Sequence, residues 1–421
     1  MQTKQILRKF LPTVAPLAIL ATLNGQSLTT IYSFGDNELG YGPAAGVTVG
    51  AGGELYGTVA HGGASGLGLV YELGPPQTPG GAWNETVLHS LRSQNGNGGP
   101  TGVTIGPEGM LYAAAGQLSN GGTVFRLVPP TADTTPWPEQ LLWAFTDPTT
   151  DGSGPACAPV FGLGQALYGT TSTGGVNTSG VVYRIVPPTV QGGEWTEQML
   201  FDFTGSDGIE PVGPIAIDSA GTIYGTTYVG GPQAGVVFRL APPAQPDGDW
   251  IESTLYSFGS QSGDFGAPNG VVLGPNGVLY GTQLGGPRCD TAGCGVVYQL
   301  SPPETPGGAW VETILYTFVG QATGDGAQPN STPVIAPGGV LYGTTSGGGK
   351  GYGTVYKLQP PSSPGGSWTE VVLYSFTGGA DGMDPAGVTQ GIDGNLYGTT
   401  QMVFSKDGVL SYGTVFELAL Q

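Results

Sequence analysis

The sequence predicts an all-β chain folded as a seven-bladed β-propeller with four antiparallel strands per blade. Three observations lead there. First, Leu-Tyr-Gly-Thr or a close variant recurs seven times, with tyrosines at Tyr56, Tyr112, Tyr168, Tyr224, Tyr280, Tyr342 and Tyr397. Their spacing is 56, 56, 56, 56, 62 and 55 residues, and a fixed period of this size is the mark of a repeat architecture. Second, each period holds four short segments rich in β-branched and aromatic residues, bounded by Gly, Pro, Asn or Asp. Third, no segment sustains a helical period, so essentially no helix is expected after the N-terminus.

The four segments are clearest in the fifth period. Pro268 to Leu273 opens it, and a turn at Pro275-Asn276-Gly277 leads to Leu279-Tyr280-Gly281-Thr282. Gly295 to Leu300 is the third and Ile314 to Phe318 the fourth. One period holds too few apolar residues for a core of its own, so the copies must share one. Blades are expected at about 43–91, 100–145, 155–203, 211–258, 268–318, 329–376 and 385–421.

The ends of the chain complete the pattern. The third segment is followed by Pro-Pro and a tryptophan, and these occur six times, the tryptophans being Trp83, Trp137, Trp195, Trp250, Trp310 and Trp368. The fourth-strand motif occurs seven times, and its first copy, Ile31-Tyr32-Ser33-Phe34, has no blade before it. The chain closes on a third strand, Val415 to Leu418. Strand 27–34 is therefore expected to join the last blade, which would leave no open edge.

Composition sets the class. Gly 79 and Pro 36 are numerous but periodic, and they read as turns. Lys+Arg 11 against Asp+Glu 30 gives a net charge of −19, which repels nucleic acid and anionic lipid and favours solubility. Residues 1–25 read as a secretory signal. Lys4, Arg8 and Lys9 precede an apolar run too short for a membrane span. The mature chain is expected to be monomeric, without a membrane span, and secreted or held at the cell envelope.

Leu-Tyr-Gly-Thr-Thr, Gly-Gly, Gly-Thr-Val-Phe/Tyr-x-Leu and Leu-Tyr-Ser-Phe-x-Gly-Gly-x-Asp-Gly recur here, clearly in Leu341 to Leu358, Leu373 to Gly382 and Leu396 to Leu418. In these motifs the sequence resembles the GloVer tandem-repeat proteins of bacteria, over residues 27 to 421. The resemblance implies an exported bacterial protein, often with a C-terminal sorting anchor, which the ending Leu418-Ala419-Leu420-Gln421 does not show. It implies no established activity.

Candidate sites follow from where the copies agree and where they diverge. The link from fourth to first strand carries Asp-x-x-x-Pro five times, with Asp151, Asp207, Asp264, Asp325 and Asp381. Two readings stand. A ring of carboxylates at the channel mouth suits Ca²⁺, while the leading expectation is that each Asp caps its turn. The link from second to third strand, on the same face, diverges most, and specificity is usually set in such loops. It carries His61 in the first copy and Met402, Val403, Phe404 and Lys406 in the seventh. His61, Met402, Phe404 and Lys406 are the candidate ligand contacts. The fifth copy holds Cys289 and Cys294, whose spacing in an exported chain reads as a local disulfide. Cys157 is left as a small buried residue. The tryptophans lie on the opposite face, either stacking on sugars or packing on their own Pro-Pro hairpins.

No complete catalytic set is present. His61 is the sole plausible base, and neither a Gly-x-Ser-x-Gly elbow nor a phosphate loop accompanies it. The leading expectation is a non-catalytic module binding a glycan or protein at the cell surface. The alternative is a polysaccharide lyase or hydrolase using carboxylates at the channel mouth.

Overall fold

Segments with so much Val, Thr and aromatic residue pair readily, and glycine-rich turns separate them. The computed structural model describes residues 22–23, 26–35, 40–78, 80–92, 99–116, 121–131, 136–190, 192–231, 234–245, 248–259, 266–285, 294–305, 307–363, 365–404 and 410–420, with backbone only at 22, 23, 404, 410 and 411. Among the described residues there is no α-helix, only single 3-10 turns such as Pro275–Gly277. The chain forms seven antiparallel sheets arranged as a seven-bladed β-propeller.

Blade 5 shows the order, Pro268–Leu273, Leu279–Gln283, Val296–Ser301 and Val311–Thr317, each strand bonded to the next. In blades 1, 3 and 6 the first strand is broken into two short pieces, for example Ser153–Pro155 and Val160–Phe161. In the last blade, Met383–Gln390, Leu396–Phe404 and Thr414–Leu418 are followed by Gln26–Ser33 from the other end of the chain. The register is antiparallel, with Leu28 opposite Leu418 and Ser33 opposite Thr414.

First strands are innermost, and they pack on one another around the axis. Thr332 Oγ1 of blade 6 donates to the carbonyl of Asn269 in blade 5 at 2.8 Å. Asn269 Nδ2 donates to the carbonyl of Pro329 at 2.8 Å, and Asn330 Nδ2 to that of Pro385 at 2.9 Å. The first threonine of the repeat motif adds to this belt. Thr282 Oγ1 donates to the Ser331 carbonyl at 3.0 Å, and Thr399 Oγ1 to Ala45 at 2.9 Å.

The core lies between blades, as the thin apolar content of one period requires. The last residue of the outer-strand motif is buried, and in the six copies where it is phenylalanine it meets a third-strand aromatic of the next blade edge to face. Phe203–Phe238 and Phe318–Tyr356 have ring centroids 5.1 Å apart. Phe34 makes the same contact with Tyr71 at 5.2 Å, from the last blade to the first. Each such ring removes enough apolar surface to stabilise by about 1.5–3 kcal/mol. The glycine of Leu-Tyr-Gly follows from this packing. A Cβ on Gly169 would meet the Tyr183 hydroxyl, so the motif keeps glycine where the ring passes.

The tryptophans share their surroundings with their own Pro-Pro pairs, as Trp83 does with Pro75 and Pro76, and they also reach the neighbouring blade. All six are half-buried, and five lie against the motif tyrosine of the preceding blade, as in Trp250–Tyr168 and Trp310–Tyr224 at 6.4 Å. Trp195 instead takes the Arg126 guanidinium 5.7 Å from its ring. These contacts tie blade to blade, which is why the motif recurs with the blades.

Candidate functional site

Two kinds of loop meet on one face, and the four described aspartates of the repeat each accept hydrogen bonds from their own turn. Asp381 accepts the Thr377 N–H at 2.8 Å and the Tyr374 hydroxyl at 2.9 Å. Asp325 accepts the Val319 N–H at 2.7 Å and the Tyr316 hydroxyl at 3.0 Å. Asp207 accepts the Thr204 N–H at 2.7 Å. Asp151 accepts the N–H groups of Thr146 and Asp147 at 3.0 and 3.2 Å, and burial raises its carboxyl above the usual range. Asp264 lies outside the described residues. The described aspartates each serve their own turn, and the structure does not bring them together. Among the described residues no three of His, Cys, Asp and Glu form a group that could hold a metal ion.

The divergent loops do converge. His61, at the end of Leu55–His61, and Met402, near the end of Leu396–Phe404, line one cavity of about 450 Å³ at the seam between blades 1 and 7. Tyr41, Gln401 and Tyr412 complete its polar and aromatic wall. Tyr41 lies between the other two rings, 4.9 Å from His61 and 5.3 Å from Tyr412. Tyr412 sits at φ 30, an uncommon conformation for a bulky residue. Of the other candidates in this loop, Lys406 and the Phe404 side chain lie outside the described residues.

A second cavity of about 530 Å³ opens over blades 4 to 7 at the channel mouth and shares Gln401 with the first. Gln328, Asn330, Ser346 and Asp384 line it, with Tyr228 at its edge. Ser346 Oγ donates to the Gln328 carbonyl at 3.1 Å, while the Gln328 and Gln401 side-chain amides take no hydrogen bond from the described residues. Burial raises the Asp384 carboxyl above its usual range.

Cys294 is disulfide-bonded and Cys157 is a buried free thiol. Burial pushes the Cys157 thiol up to about 11, so it is no nucleophile at neutral pH. Cys289 lies outside the described residues. His89 is structural: its Nε2 lies 2.7 Å from Glu139 Oε2, joining the outer strands of two neighbouring blades.

The sequence pattern of the Gloeobacter/Verrucomicrobia repeat matches residues 134–320 and 267–421, roughly two thirds of the chain. The chain belongs to the Gloeobacter/Verrucomicrobia repeat family. None of the curated proteins compared with it matches. Among solved structures, phage phi92 endosialidase is similar at 13% identity over 94% of this chain and 69% of that one, with a TM-score of 0.48. Extracellular domains 1-2 of Drosophila semaphorin 1a are similar at 11% identity, covering 93% and 88%, with a TM-score of 0.48. A protein of unknown function from Dyadobacter fermentans is similar at 12% identity, covering 94% and 99%, with a TM-score of 0.44. At such identities these are likenesses of overall form.

In this Gloeobacter/Verrucomicrobia repeat protein recurring residues hold blades together, while the seam and mouth cavities are lined largely by residues that vary between copies. Sequence reasoning singled out His61 and Met402 but missed Tyr41, Tyr412, Gln328, Asp384 and Gln401. A signal was present for two of them. The residue before the inner-strand proline is Gly42 and Gly154 in blades 1 and 3, but Gln328 and Asp384 in blades 6 and 7.

Proposed function

We propose that this protein is an exported, non-catalytic binding module whose ligand sits on the face of the second-to-third-strand loops. The observation that carries this reading is the seam cavity, where the most divergent loops of the first and last repeats meet although they are far apart in sequence. The cavity wall pairs exposed aromatic surface with the amide of Gln401, the mixture that binding sites use for orientation and affinity. Export accords with the basic and then apolar N-terminal 25 residues. None of the helices among the described residues is long and apolar enough to cross a membrane.

The test is a glycan array and a surface-protein panel, each run with the parent protein and with Tyr41→Ala and His61→Ala. Saturable capture that both substitutions weaken supports the reading. Release of reducing ends or unsaturated products from a polysaccharide by the parent protein overturns it in favour of an enzyme.

A further inference from the structure

We propose that the channel mouth over blades 4 to 7 is a binding site for neutral sugar units of a polysaccharide, a reading that deepens and rests on the binding-module function. At six of the seven blade junctions the residue before the inner-strand proline donates its backbone N–H to a loop carbonyl of the preceding blade. Gln328 donates to Cys294 at 2.7 Å and Asp384 to Tyr352 at 3.1 Å. This bond needs the left-handed conformation and no side chain, and Gly42 and Gly154 make it at φ 70 and 68. In blades 4 to 7 the residue is Glu210, Ala267, Gln328 or Asp384, all held at φ 56 to 59. A side chain kept in that conformation is strained, and strain persists where function uses it. Three of these four residues line the same cavity of about 530 Å³.

The lining chemistry names the ligand class. The uncommitted amides of Gln328 and Gln401 offer donors and acceptors together, as paired hydroxyl groups require. Tyr228 is 39% exposed and lines the cavity, an aromatic side chain of the kind that covers the apolar side of a sugar. Asp384 places a carboxyl in the site, and the chain carries a net charge of −19, so uronates and other anions are repelled. Because Gln401 lines both cavities, a ligand of several units reaches from the mouth to the seam.

The experiment is calorimetric titration of the full chain with neutral xylo-, cello-, malto- and arabino-oligosaccharides and with oligogalacturonate. Gln328→Gly and Asp384→Gly remove the side chains while relaxing the backbone, so the fold is retained and the melting temperature does not fall. The expected result is saturable binding of a neutral oligosaccharide and none of oligogalacturonate. Each of the two variants weakens it about tenfold or more. Glu210→Gly, outside the cavity lining, leaves it unchanged. No neutral ligand at millimolar concentration, a preference for oligogalacturonate, or full affinity in both variants overturns the proposal. Capture of another ligand that depends on Tyr41 and His61 but not on Gln328 or Asp384 sinks the sugar site and spares the binding-module reading. Loss of capture at both cavities sinks both.

Discussion

The backbone N–H of Gly42 donates to the carbonyl of Tyr412 at 3.1 Å, tying the first blade to the last. The same bond joins Gly154 to Gly121, Glu210 to Ser179, Ala267 to Ala234, Gln328 to Cys294 and Asp384 to Tyr352. Beside each bond, a glycine that opens the third strand lies against the inner-strand proline of the next blade. A Cβ on Gly413 would come within 2.6 Å of Pro43 Cδ, and one on Gly295 within 2.2 Å of Pro329 Cδ. The junction between the chain ends is therefore built like the internal ones.

Phe34→Ala should be as damaging as a core truncation in mid-chain. Phe34 is buried, its N–H donates to Gly413 at 3.1 Å, and its ring meets Tyr71. The expected cost is about 3–5 kcal/mol in denaturant unfolding, matching Phe203→Ala. A cost under about 1 kcal/mol would show that strand Gln26–Ser33 is dispensable.

Gly413→Ala should destabilise by about 2 kcal/mol or more, since a left-handed backbone and a proline contact both oppose the added methyl. The glycine sits at φ 83. Gln328→Gly should have the opposite sign, gaining up to about 1 kcal/mol by relieving a left-handed side-chain-bearing residue. Equal effects of the two substitutions would contradict this account of the junction.

Asp381→Asn should cost about 1–2 kcal/mol by weakening bonds from Tyr374 and Thr377 to a charged acceptor. A melting temperature that shifts equally in EDTA and in Ca²⁺ is expected for both the parent and the variant. A Ca²⁺-specific rise lost in the variant would instead support the carboxylate-ring reading.

Stability should fall as pH rises from about 5 to 8.5. Burial lifts Glu85, Glu197 and Glu252 to about 7, and Glu370 to about 8, with nearby Asp325 adding to the last. A carboxyl with a raised folded pKa binds its proton more tightly in the native state. Its stabilisation is complete below the ordinary value near 4.5 and is lost as pH passes 7 to 8. Glu370→Gln should flatten the fall of melting temperature with pH, whereas exposed Glu304→Gln should not. Identical slopes for the two variants would assign the pH effect to net charge alone.

The sequence by itself determined the seven-fold repeat, the four strands of each blade and the family, because these rest on local strand pattern and on motif recurrence along the chain. It also exposed His61 and Met402 as departures from the repeat. The tertiary structure decided the rest. Trp250 packs on Tyr168 of another blade, and Gly169 is spared a side chain because Tyr183 crosses it. Contacts across blades bring together residues separated by a whole period, so their partners are not written in local spacing. Asp325 and Asp381 accept N–H groups of their own turns, the turn-cap contact that the sequence reading favoured over metal binding. The seam cavity joins Tyr41 to Tyr412 across nearly the whole chain. Only the closing of the first strand region against the last brings those residues to one place, because a propeller's two ends become neighbours in the fold and nowhere else.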